Sequence, residues 1–75
     1  MIIISKDKTI IANFNNILVI AIDKDHTKRR IFCKGVDSTE IILGEYDTEE
    51  RTEEVFKELM EATTSLFESY YMPKN

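Results

Sequence analysis

The chain has 75 residues, of which 43% are apolar and 32% are charged. This length fits one domain, and this composition is typical of folded proteins and excludes a disordered chain. A single cysteine cannot form an internal disulfide, and no apolar run approaches the roughly 20 residues that span a bilayer. The apolar start at residues 1–4 is too short for a signal peptide. We therefore expect a single domain over residues 1–75, located in the cytoplasm.

The formal net charge of −4 is divided unevenly along the chain. Residues 1–36 hold seven basic and three acidic residues, a charge of +4, whereas residues 37–75 hold three basic and eleven acidic residues, a charge of −8. The first region can attract anions while the second repels them. The alternative is that a basic sheet edge and an acidic helix attract each other, within one chain or between two.

Short apolar runs alternate with polar turns over residues 2–46. Strands are expected at residues 2–4, 9–14, 17–22, 29–34 and 40–46. Gly44 lies inside the last of these strands and predicts a bulge. Because consecutive strands with short links favour antiparallel neighbours, the sequence predicts an antiparallel β-meander of about five strands.

After the last strand the apolar spacing changes to three and four, which is the period of a helix. Asp47 or Thr48 can cap its N-terminus, and Asp47 with Glu50 fits a capping box. The single proline cannot continue a helix, so we expect one long C-terminal α-helix over about 48–72 and an α+β fold. Residues 63–65 are weak helix formers, so a break of the helix at these residues is an alternative.

Two features predict self-association. The strand at residues 17–22 is apolar on both faces, with alternate side chains on opposite faces, and one helix covers only one face of a sheet. The expected helix of about 36 Å exceeds a strand of about 17–20 Å, so its aromatic end would overhang the sheet. We expect a homodimer or a higher homo-oligomer; the alternative is a monomer whose helix bends near Thr64 and folds back. The candidate interface residues are Leu18, Ile20, Ile22, Leu66, Phe67, Tyr70 and Tyr71.

The sequence contains no recognisable catalytic constellation. Metal sites need clusters of Cys, His and carboxylates, and only one His and one Cys are present. His26 and Cys33 are near in sequence, but a loop and a strand need not bring their side chains together. We expect Cys33 to pack as a small apolar group and His26 to be solvated. The sequence therefore predicts no enzymatic activity, no metal and no cofactor.

Two charged groups are candidate binding surfaces. The basic group consists of Lys28, Arg29, Arg30 and Lys34. Arginine forks suit phosphate or carboxylate ligands, although charge also protects an edge strand from aggregation. The acidic group consists of Glu49, Glu50, Glu53, Glu54, Glu58 and Glu61. An acidic helix surface can mimic a nucleic-acid backbone and bind a partner, although it can also be a merely soluble face.

Three segments carry a resemblance to a known family: 3–5, 13–17 and 42–51, of which the last contains the YxTEER-type motif of Tyr46 to Arg51. On these residues the chain resembles small, mostly uncharacterised proteins that phages and prophages of low-GC Gram-positive bacteria encode. The similarity spans most of residues 1–60, with Thr52 in place of an expected alanine. It transfers no catalytic residue. It implies a phage accessory protein that acts by binding in the host cytoplasm.

These observations lead to one main hypothesis and two alternatives. The main hypothesis is a non-enzymatic phage-type accessory protein that inhibits a host (defence) protein by binding it, as a homo-oligomer. The first alternative is an oligomeric sponge that sequesters a small nucleotide signal through basic residues at a subunit interface. The second is a structural or regulatory subunit with no small ligand. A net acidic chain repels phosphates, so the sequence argues against direct nucleic-acid binding, and it predicts no association with membranes.

Overall fold

The computed structural model describes all 75 residues as an α+β fold of two small sheets and one α-helix. In chain order the elements are β1 (Ile2–Ile4), β2 (Ile11–Asn13), β3 (Ile17–Ile22), β4 (Arg30–Gly35), β5 (Glu40–Glu45), α1 (Glu49–Thr64) and β6 (Ser69–Tyr71). Single turns of 3₁₀ helix at Phe14–Asn16 and Lys24–His26 join β2 to β3 and β3 to β4. The five predicted strands are present, and β6 is a sixth strand that the sequence pattern does not predict.

The first sheet has the strand order β2-β1-β6. The central strand β1 is antiparallel to β2, with Ile3 opposite Ala12, and parallel to β6, with Ile3 opposite Tyr70. Three consecutive β-branched residues favour an extended β1, and a central strand places them where both edges are paired. Ile3 is consequently fully buried.

The second sheet has the strand order β3-β4-β5 and is antiparallel throughout. Its register shifts between Ile17 and Val19, and again opposite Ile31, where Leu43 is the extra residue beside Gly44. The predicted bulge at Gly44 is therefore confirmed. A backbone bond from the amide of Lys6 to the carbonyl of Leu43, 2.8 Å long, connects the first sheet to the free edge of β5.

The predicted continuous meander is only partly confirmed, because β1 and β2 lie in a different sheet from β3, β4 and β5. The cause lies at the end of β2. The side-chain oxygen of Asn13 accepts a hydrogen bond from the amide of Asn15 at 3.0 Å and starts a 3₁₀ turn. This local bond competes with strand pairing and redirects the chain before β3 begins.

Helix α1 begins after Thr48, whose hydroxyl accepts a hydrogen bond from the amide of Arg51 at 3.0 Å. The predicted capping box of Asp47 and Glu50 is wrong, because with Thr48 as the N-cap the third helical residue is Arg51, which has no acceptor. The buried face of α1 carries Thr52, Val55, Leu59 and Ala62. It packs in the core against Ile3, Ile31 and Leu43.

The predicted helix end near residue 72 is wrong, because α1 ends at Thr64. The hydroxyls of Thr63, Thr64 and Ser65 donate to carbonyls of the preceding turn, at 2.7–3.0 Å. These residues are weak helix formers, and such back-bonding disfavours further helix. The chain then folds back, as in the monomeric alternative, and β6 pairs with β1. A helix of 16 residues is about 24 Å long, so the predicted overhang is absent. The helix is also too short and too polar to cross a membrane.

Candidate functional site

The structure does not bring the four residues of the basic group together. Lys28 Nζ lies 3.6 Å from the carboxylate of Glu49 at the start of α1. Arg29 donates from Nη1 to the backbone carbonyl of Asp47 at 3.2 Å, and from Nε to Thr27 Oγ1 at 3.1 Å. Both cations thus hold the β3–β4 loop against the N-terminus of α1, which agrees with mutual attraction of the two regions within one chain.

The other two basic residues, Arg30 and Lys34, lie on β4. They alternate with Ile31 and Cys33, which are fully buried in the core. Because successive strand residues point to opposite faces, Arg30 and Lys34 lie on the face of the second sheet that is turned away from the core. Nε of Arg30 is buried and has no hydrogen-bond partner, which distinguishes this side chain from the rest of the basic group.

The acidic group divides into paired and free carboxylates. Glu49 pairs with Lys28, and Arg51 Nη1 lies 3.5 Å from Glu54 and 3.9 Å from Glu58. The remaining three residues make no ion pair and no side-chain hydrogen bond within the chain; they are Glu50, Glu53 and Glu61. All three are exposed, and their helical spacing places them opposite the buried face of α1. We call these three residues the acidic stripe.

An open concavity of about 820 Å³ lies beside β5 and next to the basic group. Three cations line it, Lys6, Arg29 and Lys74, together with four carboxylates, Asp7, Glu40, Glu45 and Asp47. Hydrogen bonds from the hydroxyl and amide of Thr9, and from Ser5, hold the pKa of Asp7 below its ordinary value. Because the carboxylates outnumber the cations, the concavity is poorly suited to a phosphate ligand.

Tyr46 lines this concavity and lies outside the charged groups predicted as binding surfaces. Its ring is 2% exposed, its hydroxyl donates to the carbonyl of Pro73 at 2.9 Å, and Lys6 Nζ lies 4.5 Å from the ring centroid. Lys6 Nζ also donates to the carbonyl of Glu45. The available signal was the spacing of Gly44 and Tyr46, which share one strand face and leave room for a ring.

Two phenols share this side of the molecule. Burial raises the pKa of Tyr46 to about 12, with opposing contributions from Arg51, which lowers it, and Glu58, which raises it. Burial also raises the pKa of Tyr70, and the Glu58 carboxylate, which accepts the Tyr70 hydroxyl at 3.2 Å, raises it further. Both side chains are therefore neutral hydrogen-bond donors at neutral pH.

Of the seven predicted self-association residues, some are exposed and others pack against the core. The register shift beyond Ile17 breaks the expected alternation of β3, so Ile20 and Ile22 pack against the core while Leu18 and Val19 are exposed. The predicted faces of β3 are therefore wrong. At the other end of the chain Tyr70 is half-buried. The exposed members of the set are Leu18, Leu66, Phe67 and Tyr71.

An apolar groove of about 240 Å³ runs between β3 and one side of α1. On the strand side it is lined by Leu18 and Val19, which are 69% and 48% exposed, and on the helix side by Phe56 and Met60, of which Met60 is 51% exposed. Exposed apolar side chains that share one concave surface are typical of a binding interface.

The remaining reactive side chains are separate from one another. His26 is exposed in the β3–β4 loop, with Nε2 3.8 Å from Asp23. Cys33 is fully buried, and its burial raises the pKa of the thiol, which favours the less reactive protonated form. The structure contains no group of three or more His, Cys, Asp or Glu side chains arranged to hold a metal ion.

Comparison of the chain with protein-family models, with curated proteins and with solved structures finds no match. The resemblance to phage-encoded proteins therefore stays a prediction from the sequence.

Proposed function

We propose that this protein acts without catalysis, by binding and inhibiting a host protein, as a homo-oligomeric accessory protein of the phage type. The observation that carries the proposal is the acidic stripe. Its carboxylates, Glu50, Glu53 and Glu61, extend over roughly 16 Å of one rigid helix, at about 1.5 Å per residue. None of them makes an ion pair within 4.0 Å in the chain, so their carboxylates are available to a partner.

The partner chemistry that fits this stripe is a basic surface of a host protein, such as a channel that holds nucleic acid. Opposite charge steers association and sets specificity between partners. Lys28 is engaged by Glu49, and Arg51 by Glu54 and Glu58. Lys57 lies one helical turn from Glu53 and from Glu61 but forms no ion pair with either.

The test compares two triple variants with the same change of charge. One removes the stripe through Glu50→Gln, Glu53→Gln and Glu61→Gln; the matched control carries Glu40→Gln, Glu45→Gln and Glu68→Gln, which are also exposed. Each is immobilised and exposed to a lysate of a Gram-positive host, and the retained proteins are quantified at increasing salt. We expect a basic host protein to be retained by the wild type and by the control, to be lost from the stripe variant, and to elute with salt.

Two results would count against the proposal. One is that no protein is retained above background by the wild type. The other is that the same proteins are retained by the wild type and by the stripe variant.

The nucleotide sponge is supported by one observation, the buried and unpartnered Nε of Arg30. A phosphate oxygen would satisfy that donor. Against it, the other basic residues are dispersed, and the adjacent concavity holds four carboxylates. Calorimetry against cyclic nucleotides and cyclic ADP-ribose isomers decides the matter: heat that disappears in Arg30→Gln favours the sponge, and the absence of heat with every ligand removes it.

A further inference from the structure

Strand β3 is an edge strand with a row of free backbone groups. The amide of Asp23 donates to the carbonyl of Arg30 at 2.8 Å, so this pair faces β4. In an antiparallel ladder the bonding direction alternates along the strand, and the backbone groups of Ile20 and Ile22 therefore point away from β4. No backbone or side-chain group of the chain bonds to them there.

This edge lacks the features that protect edge strands from pairing. Such strands usually carry charged residues or proline, or are very short. Strand β3 has six residues, all apolar, and no charged residue lies between Thr9 and Asp23. The register shift beyond Ile17 affects only its first residues and leaves Ile20–Ile22 regular.

The apolar groove lies on the same side of the molecule as this open edge. It is bounded by β3 and α1, so a strand that adds to β3 would also cover Leu18 and Met60. Two independent features, the unpaired amides and the exposed apolar groove, thus lie on one surface. A standard interface takes about 800 Å² from each partner, roughly a sixth of the 5097 Å² surface of this chain.

We infer that this surface binds a second copy of the chain, through antiparallel pairing of β3 with β3. The arrangement makes one six-stranded sheet, in which the grooves of the two copies face each other and exclude water from Leu18 and Met60. Charge is compatible with this occupant, because β3 carries no charged residue from Ile17 to Ile22. Antiparallel pairing places Asp23 of one copy beside the uncharged start of β3 in the other, and the acidic stripes lie on the solvent side of the two helices.

The first test measures mass by light scattering or sedimentation, with Leu18→Lys and the control Leu66→Lys. Both residues are exposed, and only Leu18 lies in the groove. We expect the wild type and Leu66→Lys to have twice the 8.8 kDa mass of the chain, and folded Leu18→Lys, checked by circular dichroism, to be monomeric. A monomeric wild type, or a dimer that dissociates with Leu66→Lys but not with Leu18→Lys, overturns the inference.

The second test needs no substitution. In the monomer the amides of Ile20 and Ile22 have no acceptor, so they exchange rapidly with solvent hydrogen. In the proposed dimer they are bonded, and we expect slow exchange that becomes faster on dilution; rapid exchange at every concentration contradicts the inference. The inference deepens the oligomeric part of the proposed function, but neither test involves a host protein, so the two proposals fail separately.

Discussion

Tyr46 joins three segments that are distant along the chain. The ammonium group of Lys6, in the turn after β1, lies over the Tyr46 ring. The Tyr46 hydroxyl donates to the carbonyl of Pro73 after β6, and its backbone amide donates to the carbonyl of Arg29. Gly44 permits this packing. A Cβ atom at Gly44 would lie 3.1 Å from both the Tyr46 hydroxyl and Lys6 Cβ, which is closer than side chains normally approach.

We predict that Gly44→Ala destabilises the protein by displacing the Tyr46 ring. The expected loss in the free energy of unfolding is about 1–3 kcal/mol, because overpacking of a buried site forces neighbours out of place. Urea denaturation followed by circular dichroism measures it. The control is Gly44→Ala in a Tyr46→Ala background, where the ring is absent and the same substitution should cost less. Gly44→Ala with unchanged stability would show that the Tyr46 ring is not held in this position.

The raised pKa of Tyr46 predicts a loss of stability at alkaline pH. The folded chain keeps the phenolic proton up to about pH 12, whereas the unfolded chain loses it near pH 10, so stability falls as pH rises between these values. Full ionisation of this one group would cost about 2–3 kcal/mol.

Urea denaturation at intervals between about pH 9 and about pH 12 measures this loss. Tyr46→Phe should show a shallower decline than the wild type, while Tyr71→Phe, at an exposed position, should follow the wild type. Equal declines in the wild type and Tyr46→Phe would refute the assignment.

At the scale of elements, the boundaries of α1 are set by hydroxyl groups at both ends. Thr48 accepts an amide of the first turn, whereas the hydroxyls of Thr63 and Thr64 occupy carbonyls of the last turn. The first arrangement starts a helix and the second weakens its continuation.

We predict that Thr48→Ala lowers the free energy of unfolding by about 1 kcal/mol through loss of the N-cap. Thr64→Ala, the same change at the other end of α1, should alter it by less than about 0.5 kcal/mol. Chemical denaturation of both variants provides the comparison. Equal effects of the two substitutions would contradict the capping role of Thr48.

Local sequence patterns predicted which elements form better than they predicted which elements pair with one another. Five strands, the start of α1 and the bulge at Gly44 follow from short-range signals of periodicity, capping and turn chemistry. Strand β6 does not, because Tyr70 and Tyr71 fit a helical stripe equally well, and only pairing with β1, nearly the whole chain away, decides between the two. For the same reason the sequence predicts attraction between the basic and acidic regions within one chain only as an alternative. This attraction depends on Glu49 and Asp47, which the fold brings to the β3–β4 loop.

At the scale of the whole molecule, the two sheets and the helix enclose one core. The core combines Ile3 of β1 and Met72, which follows β6, with Ile31 and Leu43 of the second sheet and Leu59 of α1. Every element therefore contributes to burying the others, and a core in so small a chain rarely provides more than about 3–5 kcal/mol. We expect unfolding in a single cooperative transition.

A chain that stops after Glu68 tests this cooperativity. It lacks β6 and Met72, so β1 loses one of its two partners and the core loses a buried side chain. We predict loss of helical circular dichroism at 25 °C, since the elements depend on one another. A chain that stops after Pro73 retains β6 and should stay folded. A truncated chain with full helix content after Glu68 would show that α1 and the second sheet are stable alone.

The parallel pairing of β1 with β6 also has a consequence for synthesis on the ribosome. Strand β1 is made first, and its partner β6 follows more than 60 residues later, so the nascent chain carries the apolar β1 with one edge unpaired until synthesis of this segment is nearly complete. Contacts of this separation slow folding, because closing so long a loop costs entropy before any contact forms. We therefore expect the native state to form only after β6 has left the ribosome, and until then Ile2–Ile4 keeps one strand edge unpaired.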